Sequence, residues 1–259
     1  TRGDRQSMKL HDPLTRYVVR LGDDALIMGH RLSEWMSRAP FLEEDIALSN
    51  VALDFVGRAR LFYQYAADLM GGEVTENTFA YQRDVRDFTN LLLCELPRGD
   101  FAFTLCRQFL YDAYSLPFTQ ALCKSADSQL AAIAAKAEKE SRYHLRRSRD
   151  WMLRLGDGTA ESHERCQDAL DQLWIYTDEM FECDALLDGL IAAGIAVNTE
   201  GLRSEWLDTV TETLHAATLV IPKAQGNVTG GREGIHTDDL GFLLAEMQFM
   251  QRAYPGLQW

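Results

Sequence analysis

Proline is scarce in this chain, at six residues in 259, and so are long apolar runs and positive charge. Few prolines leave long stretches free to be helical, because proline removes a helix hydrogen bond and blocks the turn before it. No apolar run approaches the ~20 residues that a membrane span requires, so no membrane partner is expected. The stretch Thr1 to Leu10 is polar and lacks the apolar centre of a secretory leader. It is expected to belong to a flexible tail over residues 1–12. Lys and Arg number 26 against 39 Asp and Glu, a formal net charge of -13. So acidic a chain repels nucleic acid and anionic lipid, and neither is an expected partner. The five cysteines (Cys94, Cys106, Cys123, Cys166 and Cys183) are scattered and odd in number, with no CxxC pair. They suit thiols in a reducing cytoplasm, not a disulfide framework or a zinc site.

What the chain does carry is helical periodicity. Four stripes repeat apolar residues at alternating steps of three and four. They run Leu14 to Trp35, Leu48 to Leu69, Ala102 to Cys123, and Leu130 to Trp151. Pro40 separates the first two, and Gly71-Gly72 closes the second. Asp100 and either Asp127 or Ser128 stand where N-caps of the third and fourth belong. Pro117 lies within the third stripe and is expected to kink or split that helix. Short links join one to two and three to four. A long link over residues 71–99, with an amphipathic helix expected near Phe79 to Leu96, joins the pairs. Short, long, short is the connectivity of an all-α, ferritin-like four-helix bundle with one long crossover. A single domain over 13–259 is expected, with the core bundle at about 13–156. Additional C-terminal helices are expected near 161–193, 199–218 and 238–253, interrupted by a glycine-rich loop from Gln225 to Gly234.

Ferritin-like di-iron proteins build their metal site from inward residues: one carboxylate from each of two helices, and a Glu-x-x-His pair from each of the other two. The polar residues that interrupt the stripes are therefore the candidate site. They are Arg58 on the second helix, Asp112 on the third, and Ser141 and His144 on the fourth, with Asp23 and Asp24 at the edge of the first. A Glu-x-x-His pair would need Glu at 141. Three weak ligands (Asp24, Asp112, His144) beside a cation make a poor iron site, so no metal and no catalytic residue is expected. The plain alternative for each is a core polar residue satisfied by hydrogen bonds. The intact Glu212-Thr-Leu-His215 lies outside the four core helices, and one such match carries little weight. Arg142, Arg146 and Arg149 head a basic cluster with Arg147, Lys136 and Lys139. It reads as a solvated face or as a docking strip for an acidic partner or the phosphates of a CoA thioester.

Several segments carry a family resemblance. Arg20-Leu-Gly-Asp-Asp, Asp45-Ile-Ala-Leu-Ser-Asn, Asn90-Leu-Leu-Leu and Lys139-Glu-Ser-Arg-Tyr-His-Leu-Arg resemble the PaaC-type components of bacterial phenylacetyl-CoA 1,2-epoxidases. The most specific stretches are Thr229-Gly-Gly-Arg-Glu-Gly-Ile-His-Thr, Leu244-Ala-Glu-Met-Gln-Phe-Met-Gln-Arg and the ending Pro255-Gly-Leu-Gln-Trp259. The resemblance runs from about Tyr17 to Trp259. It implies a cytoplasmic, non-catalytic structural subunit of an NADPH- and O2-dependent multicomponent monooxygenase of aerobic phenylacetate breakdown. It further implies a catalytic partner of PaaA type holding the di-iron centre, and a small PaaB-type subunit. A transient PaaE reductase would carry FAD and an iron–sulfur cluster, and this chain would bind no cofactor itself. The sister subunit's iron motifs resemble Asp54-Phe-Val-Gly-Arg58 and Lys139-Glu-Ser-Arg-Tyr-His144. On that correspondence Phe55, Arg58 and Ser141 replace a Glu, a His and a Glu.

From this follows the expectation that Arg58 replaces the metal's charge by holding Asp112, and also Asp24, as a buried ion pair. Two other classes of function stay open on the sequence: an active di-iron or di-manganese oxidase with unusual ligands, and a self-associating helical scaffold.

Overall fold

The computed structural model describes residues 10–223, 226–255 and 257. Residues 1–9 of the expected tail, together with Ala224, Gln225, Gly256, Gln258 and Trp259, lie outside them. The described residues form eleven α-helices and no strand. The bundle consists of α1 (Pro13–Ser33), α2 (Leu42–Met70), α5 (Phe101–Leu122) and α6 (Ser128–Gly156). This is the all-α, ferritin-like arrangement with one long crossover.

Local chemistry sets the helix ends. Asp12, Asp100 and Asp127 each accept a hydrogen bond from the backbone N–H three residues on, at Thr15, Phe103 and Leu130. Each thereby satisfies one of the orphan donors of a first helical turn. Gly71 ends α2 at φ 67°, a left-handed conformation that glycine adopts without a Cβ clash. Helices α1 and α2 pack closely because Gly22 has no side chain: a Cβ there would strike the ring of Tyr63.

Helix α1 is buried along almost its whole length. The crossover and the C-terminal helices cover the side of it that α2 leaves open. The crossover holds α3 (Glu76–Tyr81) and α4 (Leu92–Glu95), with a 3-10 turn at Val85–Asp87. Beyond α6 come α7 (Ala160–Leu173), α8 (Ala185–Ala192), α9 (Arg203–Ala216), α10 (Asp238–Met247) and α11 (Phe249–Ala253). Helix α9 is anchored to α5 by the Trp206 indole, which donates to the Leu110 carbonyl at 2.9 Å.

Two expectations are corrected. No continuous helix spans Phe79 to Leu96. The backbone N–H groups of Thr89, Leu91 and Leu92 donate to the carboxylates of Asp23, Asp24 and Glu179, so helix carbonyls lose those donors. Pro117 does not split α5, which is continuous from Phe101 to Leu122. The Thr119 hydroxyl bonds the Ser115 and Leu116 carbonyls, and burial on the core side holds the helix together. Asp23 and Asp24, at the edge of the first stripe, do not face solvent. Both are buried, because other parts of the chain fold over that side of α1.

Candidate functional site

The bundle centre brings five of the six ligand-position residues together. Phe55 of α2 is fully buried, its ring 5.2 Å from that of His144 and 5.8 Å from that of Tyr111. The Arg58 guanidinium lies 5.0 Å over the Phe55 ring. It donates to Ser115 Oγ and Ser141 Oγ, both at 3.2 Å, and to the Ala137 carbonyl at 3.3 Å. Glu140, partly exposed, supplies its countercharge at 3.4 Å. His144 Nε2 bonds Asp54 Oδ2 at 2.9 Å across the α2–α6 seam.

Asp112 is fully buried on α5, near His144. Gln108 Nε2 donates to its Oδ1 at 2.6 Å, and its Oδ2 meets no donor in hydrogen-bonding geometry among the described residues. The expected Arg58–Asp112 and Arg58–Asp24 pairs are therefore corrected. Arg58 bonds the buried hydroxyls of Ser115 and Ser141, the Ala137 carbonyl and Glu140, and among the described residues it makes no hydrogen bond or ion pair with Asp112 or Asp24. Asp24 lines the same small cavity as Arg58 but spends its charge on Arg232.

Burial pushes the Asp112 carboxyl up to about 6, against the pull of His144 and of the Ser148 and Gln108 side chains. The sign follows directly. The unfolded chain releases this proton near the ordinary value of 3.8, the folded chain only near 6. Stability from this group is thus present at low pH and is lost as pH rises through about 4 to 6. Asp112→Asn should be more stable than the parent at pH 8, by up to about 3 kcal/mol, with the gap closing at pH 4. Urea unfolding at the two pH values measures it; an equal difference at both would show that Asp112 is not stranded.

The donor set does not fit a di-iron centre. Phe55 has no lone pair, Ser141 offers a neutral hydroxyl, and Arg58 puts a permanent cation among them. The His144 nitrogen Nε2 is committed to Asp54. Among the described residues, no three His, Cys, Asp or Glu side chains form a group that could hold a metal ion. The cavity beside Arg58 measures about 20 Å³. That suffices for a single water, against the several hundred Å³ of a typical small-molecule pocket.

The basic strip on α6 is divided. Arg142 pairs with Glu138, and Arg149 with Glu212 at 2.5 Å. Arg147 turns inward to Glu44, while Arg146 lies 5.7 Å over the Tyr143 ring. Glu212 of the Glu-x-x-His215 match is therefore a surface ion-pair partner.

A second polar centre went unseen in the sequence. Asp23 pairs with Arg83 and accepts from the Tyr63 hydroxyl at 2.6 Å and from Thr89. Asp24 receives both Nη atoms of Arg232, at 2.9 and 2.8 Å, and the Leu91 N–H at 2.8 Å. Burial opposes the Arg232 charge, but the Asp24 carboxylate outweighs it and holds the guanidinium well above its usual range. Glu95, fully buried, accepts from Asn90, from His236 and from the backbone and hydroxyl of Thr237. Burial works against a charged His236, yet Glu95 and the Phe88 carbonyl raise its pKa. Glu179 accepts from the N–H groups of Leu92, Gly230 and Gly231 at 2.7, 3.0 and 2.7 Å. Gly231 has no room for a Cβ, which would strike the Asn90 carbonyl. The one available signal was Asp23-Asp24 set among apolar neighbours. Consecutive helix residues diverge by about 100°, so the two acids must find separate partners.

The stretch from Thr229 to Thr237, whose residues carried the resemblance, is thus the clasp that closes over α1. The family model described as "Phenylacetic acid catabolic protein" matches residues 2–259. This chain belongs to that family. It is 49% identical over 246 residues to a protein of Escherichia coli (strain K12) named as the C subunit of 1,2-phenylacetyl-CoA epoxidase, covering 95% of this chain and 99% of that protein. Family membership therefore extends over the bundle and the clasp alike. Among the described residues, no helix is long and apolar enough to cross a membrane.

Proposed function

We propose that this chain is the non-catalytic, PaaC-type component of a phenylacetyl-CoA epoxidase, supporting an iron-bearing catalytic subunit of PaaA type in the cytoplasm. The observation that carries the reading is Arg58. A guanidinium fixed by Ser115, Ser141 and the Ala137 carbonyl stands at a ligand position of the bundle. Replacing iron ligands by Phe55, Arg58 and Ser141 removes the acid–imidazole set that activates O2 in such bundles. The small cavity beside Arg58 has no room for an aromatic ring. What remains for such a subunit is its surface: bracing the helices of a partner whose own interior does the chemistry, with a PaaB-type subunit and a PaaE reductase completing the system.

Co-expression with a PaaA-type subunit tests this. The two chains should co-elute, with iron recovered on the partner and not on this chain. Turnover of phenylacetyl-CoA by the partner and reductase should require this chain. Near-stoichiometric iron on the isolated chain, or full turnover without it, overturns the reading.

A further inference from the structure

The outward face of α2 is bare. Leu42, Ile46 and Leu53 are 71%, 53% and 67% exposed. Their spacing of four and seven puts them on one line along the helix. Gly57 continues that line. A Cβ at Gly57 would meet nothing within 4 Å, so no contact inside this chain requires glycine there. Glycine in a helix interior costs about 1 kcal/mol relative to alanine. An unforced glycine at the end of an exposed apolar line fits the close approach of another backbone from outside. From Leu42 to Gly57 the line is about 22 Å long, or about four helical turns.

Charge beside this line says what would cover it. Helix α6 runs antiparallel to α2, as the Arg147–Glu44 and Arg58–Ser141 contacts fix. Within four positions of the Glu140 and Arg147 contacts to α2, Lys136, Lys139, Tyr143 and Arg146 of α6 are exposed. Arg146 rests on the Tyr143 ring, and neither lysine makes an ion pair among the described residues. The acids along the middle of the seam are already engaged: Asp54 by His144 and Glu140 by Arg58. Further acids stand toward its end, at Glu43 and Asp45 on α2 and Asp150 on α6. Beside the apolar line the acids in the middle of the seam are thus matched, and the charges left without an ion pair there are basic, on a chain whose net charge is -13.

We infer that this α2 face is the docking site for an amphipathic helix of the catalytic subunit, apolar at three- and four-residue spacing and acidic along the edge that meets α6. This rests on the function proposed above and adds where the partner sits. The helix packs its apolar stripe on Leu42, Ile46 and Leu53, comes closest at Gly57, and sets its carboxylates against Lys136, Lys139 and Arg146. The same face is poorly suited to its own counterpart on a second copy of this chain, which offers no unpaired acidic edge in its middle to meet these basic residues.

The test uses the intact chain and its PaaA-type partner, with affinity read by titration calorimetry. Leu53→Lys and Gly57→Leu change positions with open space beside them, so melting temperatures should stay near that of the parent while affinity falls at least tenfold for each. Lys136→Glu with Lys139→Glu should weaken binding several-fold and flatten its salt dependence. Phe242→Lys, on a different exposed apolar site on α10, serves as the control and should bind like the parent. If the parent binds but the α2 variants bind equally well, or only Phe242→Lys fails, the docking site is wrong and the proposed function stands. If the parent itself does not bind, both fall. A homodimer of this chain abolished by Leu53→Lys would also overturn the assignment.

Discussion

Arg232→Met should cost about 3–5 kcal/mol of folding stability, the usual penalty for leaving one member of a buried pair alone. The substitution keeps most of the side-chain volume and removes the charge. Asp24 would then lie inside the protein with one backbone donor, Leu91 N–H, where the parent supplies three. It must either hold an unpaired charge in a low dielectric or take up a proton, and both are unfavourable at neutral pH. The Thr89 carbonyl, which accepts from the same guanidinium at 2.8 Å, loses that partner too. Asp24→Asn together with Arg232→Met should recover a large part of the loss, because an amide carries no charge to strand. Melting temperature reads this directly: a fall of about 10 °C for the single variant, and clearly less for the double. Equal melting of the two would show that the pair contributes nothing specific.

Glu179→Ala should be of similar size by a different route. No charge is stranded; three backbone N–H groups are. Leu92, Gly230 and Gly231 all donate to this one carboxylate, and the Leu92 and Gly231 bonds are buried. Each unsatisfied buried donor costs about 1–3 kcal/mol, so the two buried ones together should cost about 2–6 kcal/mol. Glu179→Gln keeps an oxygen acceptor but also presents an NH2 group to backbone donors, and should fall between. Because the lost bonds tie the crossover to the clasp, amide exchange should speed up first at Leu92 and Gly231. Uniform acceleration along α5 and α6 instead would mean that the clasp is not a separate unit of stability.

The four long helices were legible because each buries a stripe with the period of its own backbone, and because Asp100, Asp127 and Gly71 mark their ends. The ligand-position cluster was legible for the same reason: Phe55, Arg58, Asp112, Ser141 and His144 are inward positions, and inward positions of neighbouring helices meet. The pairing inside the cluster was not. Periodicity says that Arg58 and Asp112 face the same interior, but not their heights along the axis or the rotamer that sends the guanidinium to Ser115 and Ser141. The clasp was illegible for a stronger reason. Thr89 to Leu92 and Gly230 to Gly231 have no repeating pattern, because the backbone donors of Thr89, Leu91, Leu92, Gly230 and Gly231 are satisfied by single side chains far away in the chain. Such bonds leave no local trace, and an amphipathic stretch such as Phe79 to Leu96 then resembles a helix that it does not form.

Arg232 and Asp24 stand 208 positions apart in the chain. During synthesis Asp24 therefore lacks its guanidinium partner until nearly the whole polypeptide has emerged, whereas the partners of Asp23 (Tyr63, Arg83 and Thr89) follow it within about the first third of the chain. The bundle can collapse early through nearby contacts between α1 and α2 and between α5 and α6. Sealing over α1 is a late, long-range event, the slow kind of contact in folding. Chains interrupted before the glycine loop would keep the helices and expose a polar seam along α1. A quality-control protease or chaperone could tell these unfinished products from finished ones.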